Sequence, residues 1–245
     1  MGLSFIPLGV GDAFSKKYYS SSILVTADDY TILVDCPHPI RKMMHETGVE
    51  PKPDIGDVDA VVLTHLHADH VSGLEGFLFF SRFHLRKKGV VAAHERVLES
   101  LWPHHLVGGM GNLHVDGHRR TLTLDEYAET IALDDRVATD LGPCSVACRR
   151  TIHHIPTYAL KISVGGVTLG YSADTTYDPE LIEWLLGDSD LVIHETNEGI
   201  HTPYEKLRAL PEADRKRMRL IHYPDELDPE KSAIECLTQG ERYTI

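Results

Sequence analysis

The chain has 245 residues, 42% of them hydrophobic and 25% charged, with a formal net charge of −13. That hydrophobic share suffices for a sizeable core and excludes a disordered chain. The acidic balance argues against a protein that wraps long nucleic acid, because such binding runs on phosphate neutralisation; a phosphate substrate stays open, since bound metal ions invert the local field. The first residues, Met1-Gly2-Leu3-Ser4-Phe5-Ile6-Pro7, have no basic region and no long apolar core, so no signal peptide is expected. No apolar run reaches membrane-span length, and a soluble cytoplasmic protein is the expectation. The four cysteines, Cys36, Cys144, Cys148 and Cys236, match no zinc ribbon or redox pair and read as free thiols.

In chain order, Leu3 to Leu8 reads as a first strand, closed by Gly9-Val10-Gly11-Asp12. Ser22 to Thr26 and Thr31 to Val34 form a hairpin pattern around Ala27-Asp28-Asp29-Tyr30. Ile40 to Thr47 reads as a short helix stopped by Gly48, and Pro51-Lys52-Pro53-Asp54 as a loop. Asp59 to Leu63 is apolar, β-branched and short, the mark of a buried strand. Gly73 to Leu85 reads as a helix with an apolar face, and Phe77, Phe79, Phe80 and Phe83 as core. The segment 84–142 is harder to read: Val90 to Ala93 suggests a strand and Glu95 to Leu101 a helix. Trp102-Pro103-His104-His105 is expected to break that helix, and Gly108 to Asn112 to form a flexible turn. His94, His104, His105, His114 and His118 fall here and none is assigned to metal.

Further on, Ser145 to Ile152 reads as a strand running into His153 and His154. Leu160 to Val164 and Val167 to Tyr171 flank a Gly165-Gly166 turn. Pro179 to Leu186 is a helix with Pro in its first turn. Leu191 to Ile193 and Arg219 to Ile221 are buried strands, separated by a charged helical stretch, and the tail after Asp228 holds a short helix and a small strand. Apolar strands thus end repeatedly in His or Asp, at Asp35, His65, His153, Asp174, His194 and His222. Strand ends that converge on one edge would carry a site there. With no repeat or linker visible, residues 1–245 read as one domain.

The organising stretch is Thr64-His65-Leu66-His67-Ala68-Asp69-His70. Residues two apart on an extended backbone point the same way, so His65 and His67 can present two imidazoles to one ion. Asp69 and His70 follow, and Gly73 lets the chain turn into a helix. A carboxylate mixed with imidazoles, without thiolate, suits Zn²⁺, Mn²⁺ or Fe and does not suit a closed structural zinc. The alternative is a surface loop in a chain that holds 16 histidines.

His-x-His-x-Asp-His after a buried strand resembles the signature of metallo-β-lactamase fold hydrolases. The chain looks closest to the branch holding ribonuclease Z and the phosphonate-pathway cyclic phosphodiesterase. Ser172-Ala173-Asp174-Thr175 is similar to that branch's Ser-Gly-Asp-Thr, and His194-Glu195-Thr196 to its His-Glu-Ala-Thr. His201-Thr202 stands where the branch has a further histidine. Ala173 for Gly, and Asn197 where an aromatic is common, are departures that bear on packing. The resemblance implies an α/β fold, a four-layer αββα sandwich with helices outside two mixed sheets. It implies two divalent ions, zinc first and manganese or iron as alternatives. One would take His65, His67 and His153, the other Asp69, His70 and His222, with Asp174 bridging and a hydroxide between the ions as nucleophile. His153-His154-Ile155-Pro156-Thr157-Tyr158-Ala159 aligns with His-Ser-Ile-Pro-Ser-Tyr-Gly, which makes His153 the ligand rather than His154. Asp35 would brace the metal loop and His194 would support it through a hydrogen bond. Asp69, Glu195 and His201 would form a proton relay for the leaving group.

The implied activity is a phosphodiesterase. Ribonuclease Z relatives grip transfer RNA with a basic arm, which is not visible here. Arg86-Lys87-Lys88 and Arg215-Lys216-Arg217 are short and read as solvated helix ends. A small or cyclic phosphodiester or short oligonucleotide therefore fits better than structured RNA. A thioester or lactone hydrolase is the alternative on the same scaffold, and a non-catalytic metal-binding protein a third reading. A homodimer is expected from the resemblance alone.

Overall fold

A computed structural model describes residues 2–115 and 117–245. Among them the strands are, in order, β1 (Leu3–Gly9), β2 (Ser22–Ala27), β3 (Tyr30–Val34), β4 (Ala60–Leu63) and β5 (Gly89–His94). Next come β6 (Asn112–Val115), β7 (His118–Thr121), β8 (Ala128–Leu133), β9 (Thr139–Leu141) and β10 (Cys144–Arg150). The last are β11 (Tyr158–Val164), β12 (Val167–Tyr171), β13 (Leu191–Glu195), β14 (Met218–Ile221) and β15 (Tyr243–Thr244).

Two mixed sheets form the centre. One runs β15-β1-β2-β3-β4-β5-β8, the other β14-β13-β12-β11-β10-β9, and β6 with β7 makes a separate hairpin. β4, all four residues buried, lies between parallel neighbours β3 and β5, which explains its unbroken apolar run. The β11–β12 turn uses Gly165 and Gly166, both at positive φ (58° and 88°), which suits a tight hairpin whose turn must twist with its strands. Helices pack outside: Ile40–His45 on β1, Glu95–Leu101 on β5 and β8, and Pro179–Asp188 on β12 and β13. Asp178 starts the last of these, accepting from the N–H groups of Glu180 and Leu181.

Strand direction places the site. In the first sheet β1, β3, β4, β5 and β8 run the same way, as do β10, β12, β13 and β14 in the second. Asp35, His65, His153, Asp174 and His222 all follow the carboxyl ends of these strands.

Segment 84–142 departs from expectation. The helix from Leu74 passes at Phe80 into wider, π-type turns to His84. Trp102–Leu106 does not break its helix but widens it the same way. Pro103 lies inside this continuous helical run, where it offers no N–H to the preceding turn; the widened turns begin at that point, and Val107–Met110 is a further helical turn. β6 opens directly after it. Of the four phenylalanines expected in the core, Phe77 is buried, Phe79 and Phe80 are half-buried, and Phe83 is 55% exposed. Arg215 and Arg217 are also less free than solvated helix ends: each donates to backbone carbonyls, Arg217 to Leu186. All four cysteines are free and buried.

Candidate metal centre

β4 delivers Thr64 and His65 into the interior, both fully buried. The chain then turns at His67 into a single helical turn, Ala68–Val71. That turn is clamped to the end of β3: Cys36 N–H donates to the His70 carbonyl at 2.7 Å and Gly73 N–H to the Cys36 carbonyl at 2.8 Å. Only glycine fits at 73, where a Cβ would lie 2.4 Å from the Pro37 carbonyl oxygen.

Seven side chains meet in two groups. His65, His67, His153 and Asp174 form one, and Asp69, His70, Asp174 and His222 the other, with every donor atom in a group within 4.8 Å of the rest. His65 Nε2 lies 3.0 Å from His67 Nδ1, which is 3.3 Å from His153 Nε2. Asp174 Oδ2 is 3.7 Å from both His65 Nε2 and His222 Nε2, and its Oδ1 is 3.4 Å from His70 Nε2. Asp69 Oδ2 stands 3.4 Å from His70 Nε2 and 3.3 Å from His222 Nε2. These residues fit divalent ions. Ligands of a tetrahedral zinc at ordinary Zn–N distances sit about 3.3 Å apart. His70 Nε2 is buried with no hydrogen-bond partner although it faces two carboxylates. Among the described residues, Asp69 and Asp174 pair with histidines alone.

Behind the donors stands Asp35, fully buried. Its carboxylate accepts from Thr64 N–H (2.8 Å), from the Thr64 hydroxyl (2.8 Å) and from His70 Nδ1 (2.8 Å). Thr64 Oγ1 is also 2.9 Å from His65 Nδ1. One carboxylate thus orients two imidazoles and leaves each Nε2 facing the donor groups. Thr64 is a residue that sequence reasoning passed over; its only signal was its place directly before His65. Asp35, Ala173 and His222 adopt positive φ (58°, 50° and 57°), a conformation L residues rarely take. At Ala173 this accounts for the glycine of the similar Ser-Gly-Asp-Thr motif.

The electrostatics follow from burial and pairing. Burial pushes the Asp174 carboxyl up, but His222 and His70 outweigh it and hold it well below the usual range. Burial opposes charge on His222, yet Asp174 and Asp69 raise it to about 9. His65 is held well below its ordinary value by burial and by His70, and burial takes His153 down to about 4.

The loops from the second sheet are tied together. Thr151 Oγ1 donates to the Asp174 carbonyl at 2.7 Å, and Thr176 N–H to the Ile152 carbonyl at 3.0 Å, which fixes the loop bearing His153. His154 is exposed, its ring centroid 4.5 Å from that of His67. Glu195 Oε1 accepts from Thr175 N–H (2.8 Å) and from His201 Nδ1 (3.1 Å). Glu195, His201 and His222 form a third group of donor atoms. Asp69 stands apart from the Glu195–His201 pair in its bonding: its hydrogen bond is to His222, beside His70. His194 bonds the carbonyl of its neighbour Glu195 at 2.7 Å and makes no hydrogen bond to any of the seven donors.

Comparison with known proteins gives the family and the fold. A family model described as "Anti-Pycsar protein Apyc1" matches residues 3–243. The Anti-Pycsar protein Apyc1 of Paenibacillus sp. (strain J14) is 32% identical over the whole length of both chains. That of Bacillus phage BSP38 is 31% identical, over 97% of this chain and 96% of its own. Among solved structures, the metallo-β-lactamase fold protein YhfI from Bacillus subtilis superposes with a TM-score of 0.78 at 21% identity, covering all of both chains. A diphosphatase from the PhnP family superposes at 0.70 with 17% identity, over 98% of this chain and 97% of its own. Human tRNase Z, short form, gives 0.70 with 18% identity over 98% of each. The αββα architecture is therefore the metallo-β-lactamase fold, and the chain is a hydrolase of the phosphodiesterase type. With the match spanning nearly every residue, the chain belongs to the Anti-Pycsar protein Apyc1 family.

Proposed function

We propose that the chain is a dinuclear metal-dependent phosphodiesterase acting on a small or cyclic phosphodiester, with a cyclic nucleotide as the first substrate to test. The observation that carries this reading is the sharing of Asp174 between two otherwise separate donor groups. His65, His67 and His153 would hold one ion, Asp69, His70 and His222 the other, and the two oxygens of Asp174 would serve both. The absence of thiolate and the mixture of imidazole with carboxylate favour zinc, with manganese or iron as alternatives. When bound, two such ions supply an activated water at neutral pH and neutralise charge on the phosphate oxygens.

The chain's own residues do the rest. Asp35 and Thr64 keep the Nδ1 atoms of His70 and His65 engaged, so that their Nε2 atoms stay available. Glu195 holds His201 by Nδ1, which leaves Nε2 free to give a proton to a departing alkoxide. A thiolate leaving group has little need of that proton, so the pair speaks for an alkoxide ester over a thioester. The net charge of −13 speaks for a small substrate over structured RNA. Residues 1–245 act as one unit in this reading, and a homodimer belongs to it by resemblance alone, to be checked by sedimentation.

The deciding experiment is turnover by zinc- or manganese-loaded protein of nucleoside cyclic phosphates and bis(p-nitrophenyl) phosphate, beside thioesters and lactones. Asp174→Ala is the control. Phosphodiester turnover that disappears in the control is the expected result. Turnover of thioesters or lactones alone would replace this reading with a carbonyl hydrolase.

A further inference from the structure

Among the described residues, four large apolar side chains that face solvent lie on loops leaving the carboxyl-end edge of the strands: Phe14, 88% exposed, Ile152, 56%, Ile200, 53%, and, beyond the outermost strand β8, Val137, 68%. Ile152 directly precedes His153, and Ile200 precedes His201. Phe14 lies in the loop that leaves the carboxyl end of β1, the edge shared with β3 and β4 and so with Asp35 and His65. A phenyl ring held in water adds nothing to the core, and the cost of its exposure is recovered when a ligand covers it.

The backbone under Phe14 is built. Asp12 Oδ1 accepts from Phe14 N–H at 2.8 Å, and Asp12 Oδ2 accepts from Asn197 Nδ2 at 2.8 Å. Ser15 Oγ donates to Asp225 Oδ1 at 2.6 Å, and Lys16 N–H to Asp225 Oδ2 at 2.8 Å. Gly11 bridges to Tyr223, and its lack of a Cβ is required, since one would stand 2.7 Å from the Cβ of Ser15. The loop is thereby fastened on one side to the segment after His222 and on the other to the segment between Glu195 and His201. Both fastenings lead back to the donor groups, and between them a single aromatic ring is presented to solvent.

We propose that Phe14 is a base-binding residue: its ring is a stacking platform for the nucleobase of a nucleotide whose phosphodiester lies at the two donor groups, and Ile152 and Ile200 border the same opening. This rests on the phosphodiesterase reading and supplies the part of the substrate that reading leaves open. The physical reason is one of affinity. An acidic chain gains little from a nucleotide's phosphate away from its metal ions, whereas base stacking on an aromatic face needs no charge and tolerates every base.

The test compares wild type, Phe14→Ala and Phe14→Tyr on a purine and a pyrimidine nucleoside 3′,5′-cyclic phosphate and on base-free ribose 3′,5′-cyclic phosphate. Alongside, calorimetry measures binding of a nucleoside monophosphate and of ribose 5-phosphate to metal-loaded protein. Stacking predicts that Phe14→Ala lowers the preference for base-bearing over base-free ligand roughly tenfold, through KM rather than kcat, and that Phe14→Tyr restores it. Equal losses on base-free and base-bearing ligands overturn the assignment. So does a Phe14→Ala protein that changes from dimer to monomer with the same loss on every substrate, since a second copy would then be what covers the ring. If no phosphodiester is turned over but monophosphate binding still depends on Phe14 and on the base, the phosphodiesterase reading falls and the base platform stands.

Discussion

Asp35 offers the sharpest test of how the metal centre is held. Its carboxylate is fully buried and bonds Thr64 N–H, the Thr64 hydroxyl and His70 Nδ1, each at 2.8 Å. Asp35→Ala leaves the Thr64 N–H and the His70 Nδ1–H without partners in the interior, at about 1–3 kcal/mol each. The metal-free protein should lose about 3–5 kcal/mol, seen as an unfolding midpoint lower by roughly 10 °C. Asp35→Asn separates bracing from folding. Its carbonyl can still accept from Thr64, but its NH₂ then faces His70 Nδ1, which must give up its proton to Nε2. Nε2 is the atom that lies 3.4 Å from both Asp69 and Asp174, so a proton there obstructs an ion. The Asn variant should keep most of its stability and lose about 10- to 100-fold in metal affinity at the Asp69–His70–His222 group. The assay pairs calorimetry of chelator-stripped protein with metal titration against a chromophoric chelator. Uptake of two ions by the Asn variant at wild-type affinity would refute the reasoning, as would a loss of less than about 1 kcal/mol in the Ala variant.

Three further outcomes follow from the geometry. His153→Ala should lose metal while His154→Ala keeps it, because His153 Nε2 joins a donor group whereas the exposed His154 belongs to none; elemental analysis of the purified variants decides, and metal retention by His153→Ala would sink the assignment. His201→Ala should keep its metal and lose roughly 100-fold or more on an ester with a poor leaving group, with a much smaller loss on a p-nitrophenyl ester. Equal effects on the two would count against proton donation. The thiols give a prediction remote from the site. Burial raises Cys144 and Cys236 to about 11 and Cys148 to about 12. The folded chain then binds more protons than the unfolded one above pH 9, so stability is intact below that pH and falls as pH rises from 9 towards 11. A flat unfolding midpoint across that range, or rapid reaction of native protein with a disulfide reagent, would contradict it.

The site was legible because burial and ligation leave separate marks that coincide. β3, β4, β12 and β14 each announce themselves as apolar runs, and each is followed within three residues by a carboxylate or an imidazole. The chemistry of the next layer was not legible in the same way. Nothing in the residue type says that His67 presents Nδ1 where His65, His70, His153 and His222 present Nε2, since that depends on backbone placement. Thr64 was hidden by the histidine beside it. Segment 84–142 failed for a different reason. β7 exposes every one of its residues and β8 lies at the end of its sheet, so neither shows the alternation that burial imposes. The wide turns at 80–84 and 102–106 depart from the 3.6-residue period on which helix recognition rests. Phe83 looked like core by type but lies at its margin, more than half exposed, with its ring stacked on the half-buried Phe79 at a centroid distance of 5.7 Å.

The donors are divided between the sheets: His65, His67, Asp69 and His70 come from the first, His153, Asp174 and His222 from the second. His67 and His153 are 86 positions apart in the chain, and Asp69 and His222 are 153 apart. Ions held at these points would close very long loops in a chain whose cysteines are all unpaired. They would serve as reversible staples between two half-molecules, with a grip that depends on free metal concentration rather than on redox conditions. Loss of such ions would then loosen the hold of one sheet on the other as well as silence the chemistry.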